Sequence, residues 1–326
     1  MTSVTVRVPA KINLQLAVGP LRPDGYHGIV TVFHAISLAD EVTIETAPAD
    51  SVRVSGEGAD AVPADRDNLA LKAVAALRAV CALRGTDMPD HAGAAVTIRK
   101  RIPVAAGLAG GSADAAAALV ACNELWQAGL TQQELCEVSA GIGSDVAFAV
   151  IGGTAVGRGR GERLTPALVS QARYHWVLAF ADGALSTPEV YGTLDKLRGS
   201  HPVPEPELSS ELMTALRAGD PERLGGALGN DLQAPAVAMF PALRKTLDVG
   251  LELGALSALV SGSGPTCFFL ARDENHATDL AAALPGAGVC RQVARATGPA
   301  PGATVVRGVT GTGTATDPAG PGGTGR

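Results

Sequence analysis

The segment that most constrains this chain is PVAAGLAGGSADAAAAL at 103–119, in which a glycine-rich stretch joins an alternating apolar segment to an alanine-rich one. Residues 95–102 have the two-residue apolar period of a strand, and Ser112 is suited to cap the helix that follows it. Because glycine has no Cβ, main-chain N–H groups can point into one concavity, and the helix start adds partial positive charge. The order strand, glycine loop and helix therefore predicts a phosphate-binding site.

The glycine loop also admits a simpler interpretation, a tight strand-to-helix turn that binds nothing. Asp114 would compete with a phosphate for the positive helix end unless its carboxylate points away or faces a metal. The common P-loop pattern GxxxxGK[ST] is absent from the sequence. A GxGxxG pattern occurs at 320–325, but no strand pattern precedes it and no helix pattern follows it, so it predicts no dinucleotide site.

Length and composition exclude several classes of protein. With 326 residues, of which 46% are hydrophobic and 18% charged, the chain has enough apolar material for two folded domains. A net charge of −6 and an aromatic content of 3% disfavour nucleic acid as a partner. The five cysteines form no CxxC pair, and no apolar run has the length of a membrane span. We therefore expect a cytoplasmic protein with no membrane partner.

The apolar periodicity predicts an α+β fold. The glycine- and arginine-rich stretch at 157–163 indicates the boundary between two domains, at 1–158 and 159–297. Residues 298–326 are rich in Gly, Pro, Thr and Ala without apolar periodicity, which predicts a disordered tail. Glycines recur so often at 141–162 that turns alternating with very short strands are expected there. The strands expected in the first domain are 4–8, 12–18, 29–38, 41–46, 51–55 and 95–102. The helices expected in the chain are 69–83, 112–126, 131–140, 208–218, 221–227, 239–250 and 273–284.

Five stretches together resemble the GHMP kinase superfamily. They are the loop at 103–113, PAKINLQLAV at 9–18, RPDGYH at 22–27, IGSDVAFAV with GGTAVGRGRGE at 142–162, and SGSGPTCF at 261–268. The loop is typical of the whole superfamily, whereas PAKINL with DGYH is typical of the branch whose acceptor is a cytidine diphosphate ester of methylerythritol. The resemblance implies an N-terminal ribosomal-protein-S5-domain-2-like ATP-binding domain and a C-terminal ferredoxin-like α/β domain.

The same resemblance implies the reaction and its catalytic residues. The chain would be an enzyme that transfers a phosphoryl group from ATP, which brings Mg²⁺, to the 2-hydroxyl of that small-molecule substrate in the non-mevalonate isoprenoid pathway, as a monomer or homodimer. Asp145 would orient or accept the hydroxyl proton, and Lys11 would stabilise the transferring phosphoryl group and keep Asp145 ionised. Taken alone, the two residues would be a surface lysine and a turn aspartate.

The remaining site residues also follow from the resemblance. The residues expected at ATP are Pro103, Val104, Ala105, Ala106, Gly107, Leu108, Ala109, Gly110, Gly111, Ser112, Ala113, Asn68 and Lys100, the last through its backbone. The residues expected at the cytidine substrate are Asn13, Tyr26, His27, Thr187 and Tyr191. No protein ligand to a metal is predicted. Without the family, Asn68 would be a helix cap, Lys100 a solvated lysine at a strand end and Tyr26 a packing lid. Ala109 stands where many members have glycine, which restricts the loop backbone but keeps its N–H groups.

Two other functions stay open. Another GHMP kinase, acting on homoserine, mevalonate or a sugar, would share the glycine loop but would not need DGYH or Tyr191. A nucleotide-binding regulatory module would keep the loop without catalysis, and the intact Lys11 and Asp145 argue against it.

Overall fold

Two β-sheets organise the chain in a computed structural model, which describes residues 3–86 and 93–306. The first sheet contains β1 (Ser3–Leu21), β2 (His27–Ala47), β3 (Ser51–Gly56), β4 (Gly93–Lys100), β5 (Thr154–Gly159), β6 (Arg163–Pro166), β8 (Gly229–Asn230) and β12 (Thr304–Val305). The second contains β7 (Tyr174–Phe180), β9 (Ser257–Val260), β10 (Cys267–Ala271) and β11 (Gln292–Gly298). The helices are α1 (Leu69–Arg84), α2 (Gly110–Leu125), α3 (Gln132–Ser139), α4 (Val146–Ile151), α5 (Thr187–Arg198), α6 (Ser210–Ala218), α7 (Pro221–Ala227), α8 (Gln233–Met239), α9 (Ala242–Glu252) and α10 (Glu274–Gly286), with a 3-10 turn at Ala59–Ala61.

The first sheet is built on two strands that are longer than the sequence predicts. β1 continues through Pro9, because a bulge in its pairing with β2 falls between Pro9 and Ala10 and accommodates a residue that has no N–H to donate. β2 likewise runs through residues 38–41, where the sequence predicts a break. β4 pairs with the C-terminal half of β2 and β5 with its N-terminal half. Position 158, where the first domain was expected to end, lies within β5. Because β5 pairs with β2 and β6 pairs with β5, both strands of this hairpin belong to the first sheet.

The second sheet confirms the expected ferredoxin-like domain. Its strand order is β11-β7-β10-β9, all antiparallel, which is 4-1-3-2 in chain order. Helices α5 to α9 separate the first and second of these strands, and α10 separates the third and fourth.

Helix α2 carries the glycine loop at its start and is buried along most of its length. Its buried side chains are mostly alanine, and it contacts α1, β1, β2 and α4. Because alanine is small, α2 lies close to the sheet on one side and to α1 on the other. The loop that precedes it is therefore held on a rigid support.

The C-terminal end of the described chain corrects one prediction. Residues 298–306, expected to be part of a disordered tail, form hydrogen bonds with the first domain. The N–H of Ala303 donates to the Ala149 carbonyl at 2.8 Å, and the N–H of Gly153 donates to Ala300 at 2.8 Å. β12 pairs with the edge of β1. Because these hydrogen bonds join main-chain atoms, they require no periodic apolar side chains, and the sequence pattern does not indicate them. Residues 307–326 lie outside the described part of the chain.

Three helices also differ from the sequence-based expectation, and α8 is one of them, because no predicted element covers 228–238. Residues 146–151 form α4 instead of short strands, and five of its six side chains are buried. α5 has no counterpart among the predicted elements, although Pro188 near its start is typical of a helix N-terminus. Of the described helices, none has the length and apolar character to cross a bilayer. All five cysteines are free thiols.

Candidate active site

A cavity of about 430 Å³, here called the central cavity, collects residues from segments that are far apart in the sequence. β1 contributes Lys11 and Asn13, and the residue before α4 contributes Asp145. The glycine loop and the turn at 262–264 form two further parts of the wall. The predicted catalytic pair and the predicted phosphate loop therefore face one space.

The glycine loop ends in a helix start that has no side-chain cap. α2 begins at Gly110, and its N-cap is Ala109 with φ of 58°, so Ser112 lies in the first turn and the prediction that it caps the helix is wrong. Ala109 adopts the left-handed conformation that glycine would adopt more easily. With no side chain bonded to the helix start, the first N–H groups of α2 are available to an anion.

Gly107 is the point at which the loop touches the second domain. Its φ is 75°, and a Cβ on it would lie 2.0 Å from the carbonyl oxygen of Ser261. Its own carbonyl accepts hydrogen bonds from Lys11 Nζ and Ser261 Oγ, both at 3.0 Å. Because no side chain fits in this contact, glycine is required at position 107.

Lys11 lies at the base of the central cavity with 7% of its surface exposed. Its ammonium donates to Asn13 Oδ1 at 2.8 Å and to the Gly107 carbonyl, which leaves one of its three N–H groups for a ligand. Burial lowers the pKa of Lys11, and the negative charge of Asp145 opposes that shift. No ion pair shorter than 4.0 Å joins Lys11 to Asp145 among the described residues, and both face the cavity.

Asp145 occupies the N-cap position of α4, and its side chain makes no capping hydrogen bond. A carboxylate in this position that does not cap the helix can turn toward the cavity that it lines. Behind it, Phe148 stacks on Phe33 with ring centroids 5.0 Å apart. Packing of α4 therefore fixes where Asp145 stands.

A smaller cavity of about 180 Å³, the loop cavity, borders the glycine loop and shares Ala105, Gly110 and Gly111 with the central cavity. Asn68 and Lys100 line it together with Val104, Gly110 and Asp114. Asn68 also caps α1 by accepting the N–H of Ala70 at 2.9 Å, so its cap interpretation is confirmed while it lines the cavity.

Lys100 is not the solvated lysine that its position at a strand end suggested. Its side chain is 2% exposed, and its ammonium donates to Asp40 at 2.5 Å and to Asp114 at 2.8 Å. Burial lowers the pKa of Lys100, but the charges of Asp114 and Asp40 outweigh that effect and raise it above its ordinary value. Asp40 also accepts the N–H groups of Arg101 and Ile102, where the loop begins.

Asp114 resolves the conflict that its place in the first turn of α2 raised. Its carboxyl points away from the loop concavity toward Lys100, so it does not compete with an anion at the helix start. Burial raises the pKa of Asp114 to about 8, although the charge of Lys100 opposes that shift.

A third cavity of about 420 Å³, the side cavity, adjoins the central cavity and contains the aromatic residues. The ring of His27 stacks on Tyr191, with centroids 5.2 Å apart and planes at 29°. His27 Nε2 lies 2.9 Å from the carboxylate of Asp195. Because an ionised carboxylate only accepts, Nε2 carries the hydrogen and Nδ1 is left as an acceptor when the ring is neutral. Burial raises the pKa of Tyr191 to about 12, with Asp145 and Asp231 adding to the shift.

The two larger cavities share part of their walls, which makes them one continuous cleft. The shared residues are Ile29, Ser144, Arg160, Thr187 and Tyr191. Thr187 Oγ1 is hydrogen-bonded to Ser263 Oγ at 2.8 Å. The guanidinium of Arg160 lies 4.0 Å from the ring centroid of Tyr26.

Comparison with known proteins identifies the family of this site. The models of the GHMP kinases N terminal domain and the GHMP kinases C terminal match residues 68–153 and 212–290. A 4-diphosphocytidyl-2-C-methyl-D-erythritol kinase from Thermobifida fusca is 54% identical over 313 residues, which are 94% of this chain and 99% of that protein. The same enzyme from Nocardia farcinica is 54% identical over 93% of this chain and 96% of its own. This chain belongs to the 4-diphosphocytidyl-2-C-methyl-D-erythritol kinases of the GHMP family.

Solved structures agree with the family assignment. The crystal structure of a 4-(cytidine 5'-diphospho)-2C-methyl-D-erythritol kinase matches with a TM-score of 0.70 and 32% identity, over 90% of this chain and 98% of that one. A homoserine kinase from Cytophaga hutchinsonii has a TM-score of 0.69 at 18% identity, covering 94% of this chain and 98% of its own, which shows the shared fold alone. The family assignment makes this chain an ATP-dependent small-molecule kinase.

The structure brings most of the predicted site residues to the cleft of this GHMP kinase. Three of the predicted ATP residues, Pro103, Leu108 and Ala113, are buried and support the loop instead of lining a cavity. Among the substrate residues, Tyr26 and His27 line the side cavity, Asn13 the central cavity, and Thr187 and Tyr191 both.

Four residues with a clear place in the site were missed from the sequence. Arg160 lies in the glycine- and arginine-rich stretch that was interpreted as a domain boundary. Asp195 lies four residues after Tyr191 on α5, so the two side chains share one face of the helix. A sequence-based prediction of α5 would therefore have indicated Asp195 as a site residue. Asp40 carries no local signal, because its partner Lys100 is distant in the chain. Ser263 lies in the SGSGPTCF stretch quoted for the resemblance, but it was given no role because its partner Thr187 is distant in the chain.

Proposed function

We propose that this chain transfers the γ-phosphoryl group of ATP to the 2-hydroxyl of 4-diphosphocytidyl-2-C-methyl-D-erythritol, a step of the non-mevalonate route to isoprenoid precursors. The observation that carries the proposal is the continuous cleft, in which the glycine loop, Lys11 and Asp145 lie at one end and the stacked pair of His27 and Tyr191 at the other. A kinase for a small acceptor such as homoserine has no use for the aromatic end.

The glycine loop and the start of α2 would hold the phosphates of ATP. The main-chain N–H groups supply donors, and the missing side-chain cap leaves them unpaired for the ligand. The loop cavity, lined by Asn68 and Lys100, would receive the purine. These residues position the terminal phosphate over Lys11.

Mg²⁺ would enter with ATP. Among the described residues, no group of three or more His, Cys, Asp or Glu is arranged to hold a metal. The central cavity does contain the side-chain oxygens of Ser112 and Asp145, the ligand type that Mg²⁺ takes alongside phosphate oxygens and water. The ion would neutralise charge on the phosphates.

Phosphoryl transfer needs a group that takes the proton of the attacking hydroxyl and a cation at the transferring phosphate. Asp145 would accept the hydroxyl proton as the bond between the substrate oxygen and phosphorus forms and ADP leaves. The remaining N–H of Lys11 would donate to an oxygen of the transferring phosphoryl group. Lys11 is held by Asn13 and Gly107, so it needs no reorganisation during the reaction.

The side cavity would receive cytosine. Tyr26 and Tyr191 offer ring faces on which a base can stack. Nδ1 of His27, left as an acceptor by the bond from Nε2 to Asp195, matches the exocyclic amino group of cytosine and mismatches the carbonyl of uracil.

The proposal is tested by a coupled assay of ADP release with four acceptors at equal concentration: the cytidine substrate, its uridine analogue, homoserine and mevalonate. We expect turnover with the cytidine substrate, at least about a hundredfold lower kcat/KM with uridine, and none with the other two. Turnover with homoserine or mevalonate in preference to the cytidine compound would overturn the proposal.

A further inference from the structure

We infer that Arg160 binds the diphosphate of the acceptor and presses Tyr26 over the cytosine. The inference rests on the proposed function, because it names the residue that recognises the charged middle of that substrate. It goes beyond the glycine loop and the catalytic pair, neither of which faces the side cavity.

Arg160 stands at the tip of the hairpin between β5 and β6. Gly159 and Gly161 on either side have φ of 78° and 103°, and the N–H of Arg160 donates to Glu162 Oε2 at 2.6 Å. The tip is thus a defined turn that projects one side chain into the cleft, although the residue itself is exposed.

The guanidinium of Arg160 is oriented by Tyr26. Its carbon lies 4.0 Å from the centroid of that ring, which is a cation–π contact. Among the described residues no carboxylate lies within 4.0 Å of the Arg160 side chain. A cation–π contact uses none of the guanidinium N–H groups as a hydrogen-bond donor to an oxygen, so they can bind an anion.

The position of Arg160 matches the position of the diphosphate. The proposed substrate has its cytosine in the side cavity and its reacting hydroxyl near Asp145 in the central cavity, so its two phosphates must cross the border between the cavities. Among the described residues that line both cavities, Arg160 is the only cation. Lys11 lines only the central cavity, where the transferring phosphate is expected.

A diphosphate bound there would couple two parts of the acceptor site. The phosphate oxygens would fix the guanidinium, and the guanidinium would fix the ring of Tyr26, which is 51% exposed without such a contact to a ligand. Arg160 is therefore a substrate-binding residue, and its loss should affect the charged ligand more than the uncharged nucleoside.

The experiment is calorimetric titration of the full chain with CDP and with cytidine, for wild type, Arg160→Gln and Arg160→Lys. We expect Arg160→Gln to weaken CDP binding by about 10- to 100-fold and cytidine binding by less than about threefold. Arg160→Lys should recover part of the loss, because it restores charge without the bidentate geometry. Arg158→Gln is the matched control, since Arg158 is an exposed residue of the same hairpin that lines neither cavity.

Three outcomes would overturn the inference. Equal losses for CDP and cytidine would mean that Arg160 only supports Tyr26, and an unchanged CDP affinity would mean that it binds no phosphate. A wild type that binds neither ligand would remove both the inference and the proposed substrate. A wild type that binds CDP with the expected dependence on Arg160 but phosphorylates no cytidine substrate would contradict the proposed reaction alone.

Discussion

The two ends of the cleft are built in different ways. The end proposed for ATP, the nucleotide end, is main chain from one contiguous segment, the glycine loop and the start of α2. Buried alanines and the hydrogen bonds of Lys100 to Asp40 and Asp114 support it. The end proposed for the cytidine substrate, the acceptor end, is formed by side chains. They come from the strand that begins at His27, from α5 and from the hairpin tip at Arg160.

This difference explains what each end can recognise. Main-chain N–H groups bind any phosphate, and a glycine loop therefore serves kinases with unrelated acceptors. In the proposed function, stacked rings and a histidine with a fixed tautomer would select one base, and each of these side chains can change without disturbing the loop. The separation predicts that nucleotide binding and acceptor binding respond to different substitutions.

Of the variants considered, Asp145→Asn should have the largest effect, and this effect should fall on kcat. The amide cannot take the hydroxyl proton, so kcat should fall by about 10²- to 10⁴-fold. A titration with CDP should give the wild-type affinity, because Asp145 lines the central cavity and not the side cavity. A kcat within about threefold of wild type would remove Asp145 from the mechanism.

Gly107→Ala should damage the nucleotide end alone. The new Cβ would lie 2.0 Å from the Ser261 carbonyl at a positive φ, so the loop must move and KM for ATP should rise by more than about tenfold. Gly85→Ala is the control, because Gly85 has a similar φ of 64° but open space around its Cβ. If Gly107→Ala raises KM for the cytidine substrate instead, the two ends are not separate.

Tyr26→Ala should damage the acceptor end alone. Loss of the stacking face should raise KM for the cytidine substrate about tenfold and leave KM for ATP unchanged. Tyr26→Phe keeps the ring and should behave as wild type in steady-state kinetics. An unchanged KM in the alanine variant would make Tyr26 a packing residue only.

Asp114→Asn should give the smallest effect, on the pH dependence of stability. The folded state holds the proton of Asp114 up to a pKa of about 8, against an ordinary value of 3.8, so the folded protein binds more protons than the unfolded chain between these values. The free energy of unfolding therefore falls as pH rises through that range, and the variant should lose part of this slope in urea unfolding at pH 5, 6.5 and 8.

The exposed Asp60→Asn is the control for this experiment and should keep the wild-type slope. If the unfolding free energy of the Asp114 variant falls with pH as steeply as that of the wild type, the proton is not bound by Asp114.

The comparison of the two ends also explains what could be predicted from the sequence. The glycine loop is contiguous and follows a strand pattern, so its place between a strand and a helix was predictable. The close approach of Gly107 to the Ser261 carbonyl was not, because the two residues are distant in the chain. Tyr26, His27 and Tyr191 were placed by resemblance to family motifs. Their mutual contact, the 5.2 Å stack of His27 on Tyr191, depends on α5, which the sequence analysis did not predict.

The errors have physical causes. Ser112 has the side chain of a helix cap, but the left-handed φ of Ala109 starts the helix earlier. The strand break expected at Pro9 does not occur, because a bulge accommodates the proline. β2 also continues through the break expected between residues 38 and 41. Residues 298–306 are held mainly by main-chain hydrogen bonds, with Ala300, Ala303 and Val305 packed on the first domain, and this arrangement leaves no apolar period in the sequence.

The most direct test of the whole account is phosphorus NMR of the product formed from ATP and 4-diphosphocytidyl-2-C-methyl-D-erythritol. The account predicts one new phosphate monoester resonance, on the carbon that bears the 2-hydroxyl, beside an intact diphosphate and an equal amount of ADP. A phosphate added to the diphosphate, a monoester at another hydroxyl, or ADP with free phosphate and unchanged acceptor would contradict it.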